Sequence, residues 1–154
     1  MAGIIVPPVI GGLFSGARVT KSATQTLTNG TWTIVTFNTE QFDVGGYHDN
    51  STNTSRLTIP SGKSGYFLIH GSIMWGANSA GTRQVYITKN GTDIILDDGA
   101  AIDGTYPATR RVSLISYAVP TDYFELNVRQ DSGGSRTINA GTEGCNFMIT
   151  YLGA

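Results

Sequence analysis

The sequence predicts an all-β fold, a single antiparallel sandwich of short strands. Apolar residues alternate with polar ones in several segments, and turn residues recur about every eight to twelve positions. The chain is also rich in glycine, with 20 in 154 residues. No segment has the period of a helix, and 154 residues are enough for one domain with a buried core. We expect this domain to span residues 17–154, after a distinct prefix of residues 1–16.

The clearest strand is GYFLIHGSIMW, Gly65–Trp75. Because side chains alternate between the faces of a strand, one face is predicted to carry Phe67, Ile69, Gly71, Ile73 and Trp75. The other face then carries Tyr66, Leu68, His70, Ser72 and Met74. Both sets include apolar residues, so we expect both faces of this strand to be covered.

A hairpin is predicted over residues 83–96, RQVYITKNGTDIIL, because Asn90-Gly91 is a strong signal for a two-residue turn. Before it, TWTIVTF (Thr31–Phe37) follows the turn dipeptide Asn29-Gly30. The strand RLTIP (Arg56–Pro60) ends at a proline, which cannot donate a ladder hydrogen bond.

Three further strands complete the domain. RVSLISYAV (Arg111–Val119) and DYFELNVRQ (Asp122–Gln130) flank a Pro-Thr-Asp turn, and CNFMITYL (Cys145–Leu152) lies near the C-terminus. About eight to ten antiparallel strands in one domain favour a jelly roll.

The prefix MAGIIVPPVIGGLFSG is apolar but lacks a basic first segment, and two prolines interrupt it, so we do not expect a secretory signal. No stretch approaches the ~20 apolar residues that a membrane span needs. Prolines and glycines also disfavour a helix. We therefore predict an extended arm that binds a partner through Ile4, Ile5, Val6, Pro7, Pro8, Val9, Ile10, Leu13 and Phe14.

Composition argues against several classes of function. The net charge is −1 and the charged residues are scattered, so a nucleic-acid partner is not expected. Cys145 is the only cysteine and cannot form an intrachain disulfide. It fits a protein made in a reducing compartment and most simply fills space in the core.

Neither a catalytic nor a cofactor site is predicted. No serine or cysteine is associated with a nucleophile motif, and no carboxylate pair stands out. The segment DVGGYHDN brings Asp43, His48 and Asp49 close together, so a divalent metal is one interpretation. A turn needs the same residues, and we favour a loop without metal. The acidic stretch at residues 96–104 is likewise interpreted as a solvent-facing loop.

Several segments, in order, resemble the trimeric jelly roll shared by the complement-one-q globular head and tumour necrosis factor. They are TWTIVTFNTEQFD, HDNSTNTSRLTIPSGKSGYFLI, RQVYITKNGT, AVPTDYFELNVRQDSGG and NFMITYLG. The resemblance runs from about Ala17 to the C-terminus, and HDNSTNTSRLTIP and QDSGG are most similar to modules encoded by bacteriophages and their hosts. Neither a collagen-like repeat nor a signal peptide is recognised here, unlike the usual animal members.

The resemblance implies a homotrimer around a threefold axis, with Tyr66, Leu68, His70 and Met74 as candidate interface residues. The alternative is that these residues cover a second layer within one subunit. The expected function is that of a non-enzymatic virion protein, a head decoration protein whose arm binds the major capsid protein. A tail or fibre-tip module that binds a host-surface glycan or protein, through loops such as residues 47–54 and 97–106, is the alternative. We expect no membrane partner, and a secreted signalling ligand is disfavoured.

Overall fold

The computed structural model describes residues 14–101 and 104–154, which form twelve strands and no helix. In chain order the strands are β1 (Gly16–Thr20), β2 (Gln25–Leu27), β3 (Thr33–Ile34), β4 (Thr39–Val44), β5 (Arg56–Thr58), β6 (Gly65–Trp75), β7 (Thr82–Lys89), β8 (Thr92–Ala100), β9 (Ala108–Ala118), β10 (Tyr123–Gln130), β11 (Arg136–Ile138) and β12 (Cys145–Gly153). None of the described residues forms a helix long and apolar enough to cross a membrane.

The strands make two antiparallel sheets. The seven-stranded sheet has the order β2-β11-β6-β12-β1-β4, and β9 also pairs with β6. The pairing of β11 with β6 is limited to Trp75, whereas β9 pairs along the whole of β6. The five-stranded sheet has the order β3-β10-β7-β8, with β5 also paired to β10. This architecture is the predicted all-β jelly-roll sandwich.

The core fills the space between the sheets. Phe67 and Ile69 of β6 are fully buried, as are Leu126 of β10 and Phe147 of β12. Gly71 lies where β6 faces β10, and a Cβ there would stand 2.5 Å from Leu126 Cδ2. The missing side chain therefore lets Leu126 pack directly against the backbone of β6, which a well-filled core requires.

Most predicted strands occur at or close to their predicted bounds, and β6 spans the predicted residues. Asn90 and Gly91 form the tip of the β7–β8 hairpin with φ values of 52° and 78°. Positive φ at both central residues is the conformation that the Asn-Gly pair predicts for a two-residue hairpin turn.

The strand predicted over residues 31–37 is regular only at Thr33–Ile34. The amide of Val35 still donates to the carbonyl of Leu126 at 2.9 Å, but that of Phe37 donates to the carbonyl of Thr54 instead. Phe37 is fully buried and stacks on Phe147. The segment leaves β10 because its aromatic side chain enters the core. The strand count exceeds eight to ten because short strands such as β2 and β11 pair beside the long ones.

Candidate functional site

The outward face of the seven-stranded sheet, which points away from the core, is the most distinctive surface of the domain. Alternate residues of β6 lie on it, and pairing carries the pattern across to β9. Tyr66 is opposite Tyr117, and Leu68 is opposite Ile115. On the other side, Leu68 is opposite Thr150 of β12. The face is thus continuous across the long strands of the sheet.

One half of this face, which we call the apolar half, consists of Val44, Tyr66, Leu68, Ile115 and Tyr117. Ile115 is 61% exposed, Tyr117 is 52% exposed and Tyr66 is 51% exposed. The two tyrosine rings meet edge to face with centroids 5.4 Å apart. Adjacent large apolar side chains with this much exposure are unusual in a monomer and typical of an interface.

Phe14, the first of the described residues, also lies at the outward face. Phe14 is 51% exposed and packs edge to face on Phe42 of β4, with ring centroids 5.5 Å apart. A Cβ on Gly16 would lie 3.2 Å from the Phe14 ring, so glycine gives that ring room to lie over β1. Of the residues predicted to bind a partner, only Phe14 belongs to the described residues. Their other members, Ile4, Ile5, Val6, Pro7, Pro8, Val9, Ile10 and Leu13, lie outside the described residues, and their role stays a prediction.

The other half of the face, the basic half, surrounds an open cavity of about 680 Å³. Arg18 of β1, His70 of β6 and Arg111 of β9 line it, together with Glu143. Within residues 14–101 and 104–154, no carboxylate forms an ion pair with Arg18 or Arg111. The cavity therefore presents positive charge and free donor groups beside the apolar half.

Burial lowers the pKa of His70 from its ordinary value, and the charges of Arg111 and Arg18 lower it further. The neutral imidazole is consequently the form that the folded chain favours.

We expect the folded protein to lose stability as the pH falls through the range just below the ordinary histidine pKa of about 6.5. There the unfolded chain takes up a proton that folded His70 does not, because burial and the charges of Arg111 and Arg18 disfavour the imidazolium form. Among the described residues that line the cavity, Glu143 is the one carboxylate that opposes them. Urea midpoints between about pH 7.5 and pH 5 measure this for wild type and for His70→Gln. The wild type should lose more stability than His70→Gln over that interval; equal losses would contradict the expectation.

The four residues predicted at an interface all belong to β6 and to its outward side. Tyr66 is exposed, while Leu68, His70 and Met74 are half-buried. Neither sheet supplies a second layer over this face among the described residues. Five further residues of this face were not predicted from the sequence: Ile115, Tyr117, Val44, Arg18 and Arg111. The alternation of Arg111–Val119 was a signal for the first two, but only the strand order places them beside Tyr66.

The segment considered for a metal is organised as a loop. The Asp43 carboxylate accepts backbone hydrogen bonds from Gly46, Tyr47 and His48 at 2.9–3.0 Å. Asp49 accepts bonds from Ser51 and Thr52, which hold its pKa well below the usual range. No group of three or more candidate metal ligands occurs among the residues that the structure describes.

His48 and Cys145 likewise have structural partners. His48 Nδ1 lies 3.0 Å from Glu40 Oε1, and Nε2 lies 3.2 Å from the Thr54 carbonyl oxygen. Cys145 is fully buried, and burial raises the pKa of its thiol to about 11. A protonated thiol in the core is a poor nucleophile. The loop predicted over residues 96–104 is wrong in its first part, because residues 96–100 belong to β8 and pair with β7. Asp103 lies outside the described residues.

Comparison of the structure with solved proteins gives strong likenesses. Murine APRIL superimposes with a TM-score of 0.68 at 8% identity, over 90% of this chain and 99% of that protein. Eiger TNF from S. frugiperda superimposes with a TM-score of 0.67 at 14% identity, over 91% of this chain and 93% of that protein. The fold is a tumour-necrosis-factor-like jelly roll. At these identities the likeness concerns the fold alone. No family model matches the sequence, and no curated protein does.

Proposed function

We propose that this chain is a non-enzymatic structural protein that assembles as a homotrimer through the outward face of its seven-stranded sheet. The main support for this proposal is the apolar half, where Tyr66, Ile115 and Tyr117 are each more than half exposed in the single chain. Burying such side chains contributes about 25 cal/mol for each Å² of apolar surface removed from water. A second copy of the chain would supply the missing cover.

Assembly in threes is supported by the sequence resemblance to the complement-one-q head and tumour necrosis factor. The basic half supports it in a second way. The guanidinium groups of Arg18 and Arg111 form no ion pair within the described part of the chain. A neighbouring subunit that covers the face can supply carboxylates to these two groups. Interfaces combine an apolar centre with a polar rim in this manner.

We propose further that the trimer is a bacteriophage head decoration protein, made in the bacterial cytoplasm and bound to the major capsid protein through residues 1–16. Support comes from the resemblance of HDNSTNTSRLTIP and QDSGG to phage-encoded modules and from the apolar composition of the arm. Three arms on one trimer would act together, so weak individual contacts can give durable attachment. A tail or fibre-tip recognition module is the alternative.

A variant lacking residues 1–13 tests both parts. The cut stops before Phe14 because Phe14 packs on Phe42 and the Ser15 hydroxyl is 2.8 Å from the Tyr47 hydroxyl. Light scattering after gel filtration should give three chain masses for the variant and for the full chain. The variant should no longer bind purified virions, whereas the full chain binds.

Other results of that experiment contradict particular parts of the proposal. A monomeric variant beside a trimeric full chain would mean that the arm builds the oligomer. A full chain that is itself monomeric would refute the trimer. Attachment of the variant at full occupancy would refute the role of the arm. Specific binding of the isolated trimer to host cells, with no binding to virions, would favour the recognition module.

A further inference from the structure

A groove of about 240 Å³ lies on the opposite side of the sandwich, on the outward face of the five-stranded sheet. Pairing builds its floor: Asn127 of β10 is opposite Ile34 of β3 and Tyr86 of β7. In the next row, Glu125 is opposite Thr88, and Thr88 is opposite Asp93 of β8. Four strands from three separate parts of the chain, β3, the β7–β8 hairpin and β10, therefore contribute to one concave surface.

Two aromatic rings form one wall of the groove. Trp32 is 42% exposed although it is large and apolar, and Tyr86 beside it is half-buried. Their ring centroids are 4.5 Å apart and the ring planes are tilted by 46°. Trp32 is held by Tyr86 on one side and leaves much of its ring surface to solvent. A preordered aromatic surface of this kind can stack against a ligand at little entropic cost.

Polar groups line the rest of the groove and have hydrogen-bonding capacity to spare. Glu125 is only 5% exposed, and its described bonds, from Ser55 Oγ at 2.7 Å and Arg56 Nε at 3.2 Å, both end on Oε1. Asn127 donates through Nδ2 to Thr88 Oγ1 at 3.3 Å, and its side-chain oxygen Oδ1 stays available as an acceptor. Asp93 adds an exposed carboxylate.

We propose that this groove binds a neutral pyranose sugar. One face of such a ring carries C–H groups with partial positive charge, which pack on the negative face of an aromatic ring. The ring edge carries hydroxyl donors, which suit the acceptors on Glu125, Asn127 and Asp93. The volume is below that of pockets for drug-sized ligands and fits a single sugar unit. Glu125 and Asp93 repel a carboxylate, which disfavours acidic sugars.

This inference goes beyond the proposed assembly and does not depend on it. The groove and the apolar half lie on opposite outer faces of the two sheets, so a trimer formed through the seven-stranded sheet leaves the groove open. A sugar can bind a monomer or a trimer at this position. The solution mass tests the assembly, and the binding experiment below tests the groove.

Saturation-transfer NMR of the full-length protein tests the proposal with the methyl pyranosides of glucose, galactose, mannose and N-acetylglucosamine. N-acetylneuraminic acid serves as the acidic sugar. At least one neutral glycoside should bind with a Kd in the millimolar range, as expected for a single sugar unit in a small site. Trp32→Ala should weaken that binding about tenfold or more, because the stacking surface is lost.

Leu152→Ala is the control, because Leu152 is a large apolar residue of β12, is 52% exposed and does not line the groove. It should bind as wild type does. Asn127→Ala gives a second measurement, which removes an acceptor without changing the aromatic wall, and should also weaken binding. Binding of none of the neutral glycosides, binding of N-acetylneuraminic acid alone, or equal loss in Trp32→Ala and Leu152→Ala would overturn the proposal.

Discussion

Replacing Ile115 with aspartate is expected to convert the proposed trimer into monomers whose jelly roll stays folded. Ile115 is 61% exposed in the single chain, so the substitution removes little packing within a subunit. In the proposed assembly the same position is covered, and an unpaired buried charge costs several kcal/mol. Since each 1.4 kcal/mol is a factor of ten, association should weaken about a thousandfold or more. Light scattering after gel filtration measures the mass.

Ile94→Asp is the control for this substitution. Ile94 belongs to β8 of the five-stranded sheet and is 38% exposed, so the chemical change is the same on a different sheet. It should leave the mass at three chains. Circular dichroism should show the same strand content in both variants. A trimeric Ile115→Asp protein would mean that subunits do not meet through the apolar half.

Local patterns predicted much of the fold because the long strands are strongly alternating. In β6 the residues from Phe67 to Trp75 on one side are buried. On the other side Tyr66, Leu68, His70 and Met74 are more accessible, as the period of two requires, and Ser72 is the buried exception. The Asn90-Gly91 turn was equally predictable, since few residue pairs adopt positive φ at both positions. These features depend on neighbours in sequence and can be predicted from them.

The strands that the sequence did not predict individually depend on partners far away in the chain. β11 is three residues long, and it is ordered by pairing with β2 and with Trp75 of β6. β4 pairs with β1, and the register shifts at a bulge between Arg18 and Val19. No local sequence pattern predicts this bulge. Short strands of this kind have little hydrophobic periodicity of their own.

The candidate sites were less predictable for the same reason. The four interface residues proposed from the sequence lie on one strand, where alternation groups them. Arg18, His70 and Arg111 come from three strands, and they meet only through the order β1-β12-β6-β9. The groove has the same origin. Trp32 directly precedes β3, and Tyr86 belongs to β7, 54 positions later in the chain. The two residues come together because β3 and β7 both pair with β10.

Adjacent residues of β6 give the sharpest test of the two-faced strand. Phe67 is fully buried and contacts Tyr47 and Tyr151 with ring centroids 6.3 Å and 5.1 Å away. Phe67→Ala should cost about 3–5 kcal/mol of unfolding free energy, because it removes a large side chain and leaves a cavity. The unfolding free energy of a whole domain is only about 5–15 kcal/mol, so this variant should be close to unfolding. Urea denaturation under conditions that keep the protein monomeric measures the difference.

Tyr66→Ala, one position earlier, should have the opposite profile. Its side chain is 51% exposed and lies on the apolar half, so the monomer should lose no more than about 1 kcal/mol. The proposed trimer of this variant should nevertheless dissociate at higher protein concentration than that of the wild type, because the tyrosine no longer fills the proposed interface. Two neighbouring substitutions would then separate folding from assembly. If Tyr66→Ala destabilised the monomer as much as Phe67→Ala, the outward face would be part of the subunit's own core and the proposed assembly would be wrong.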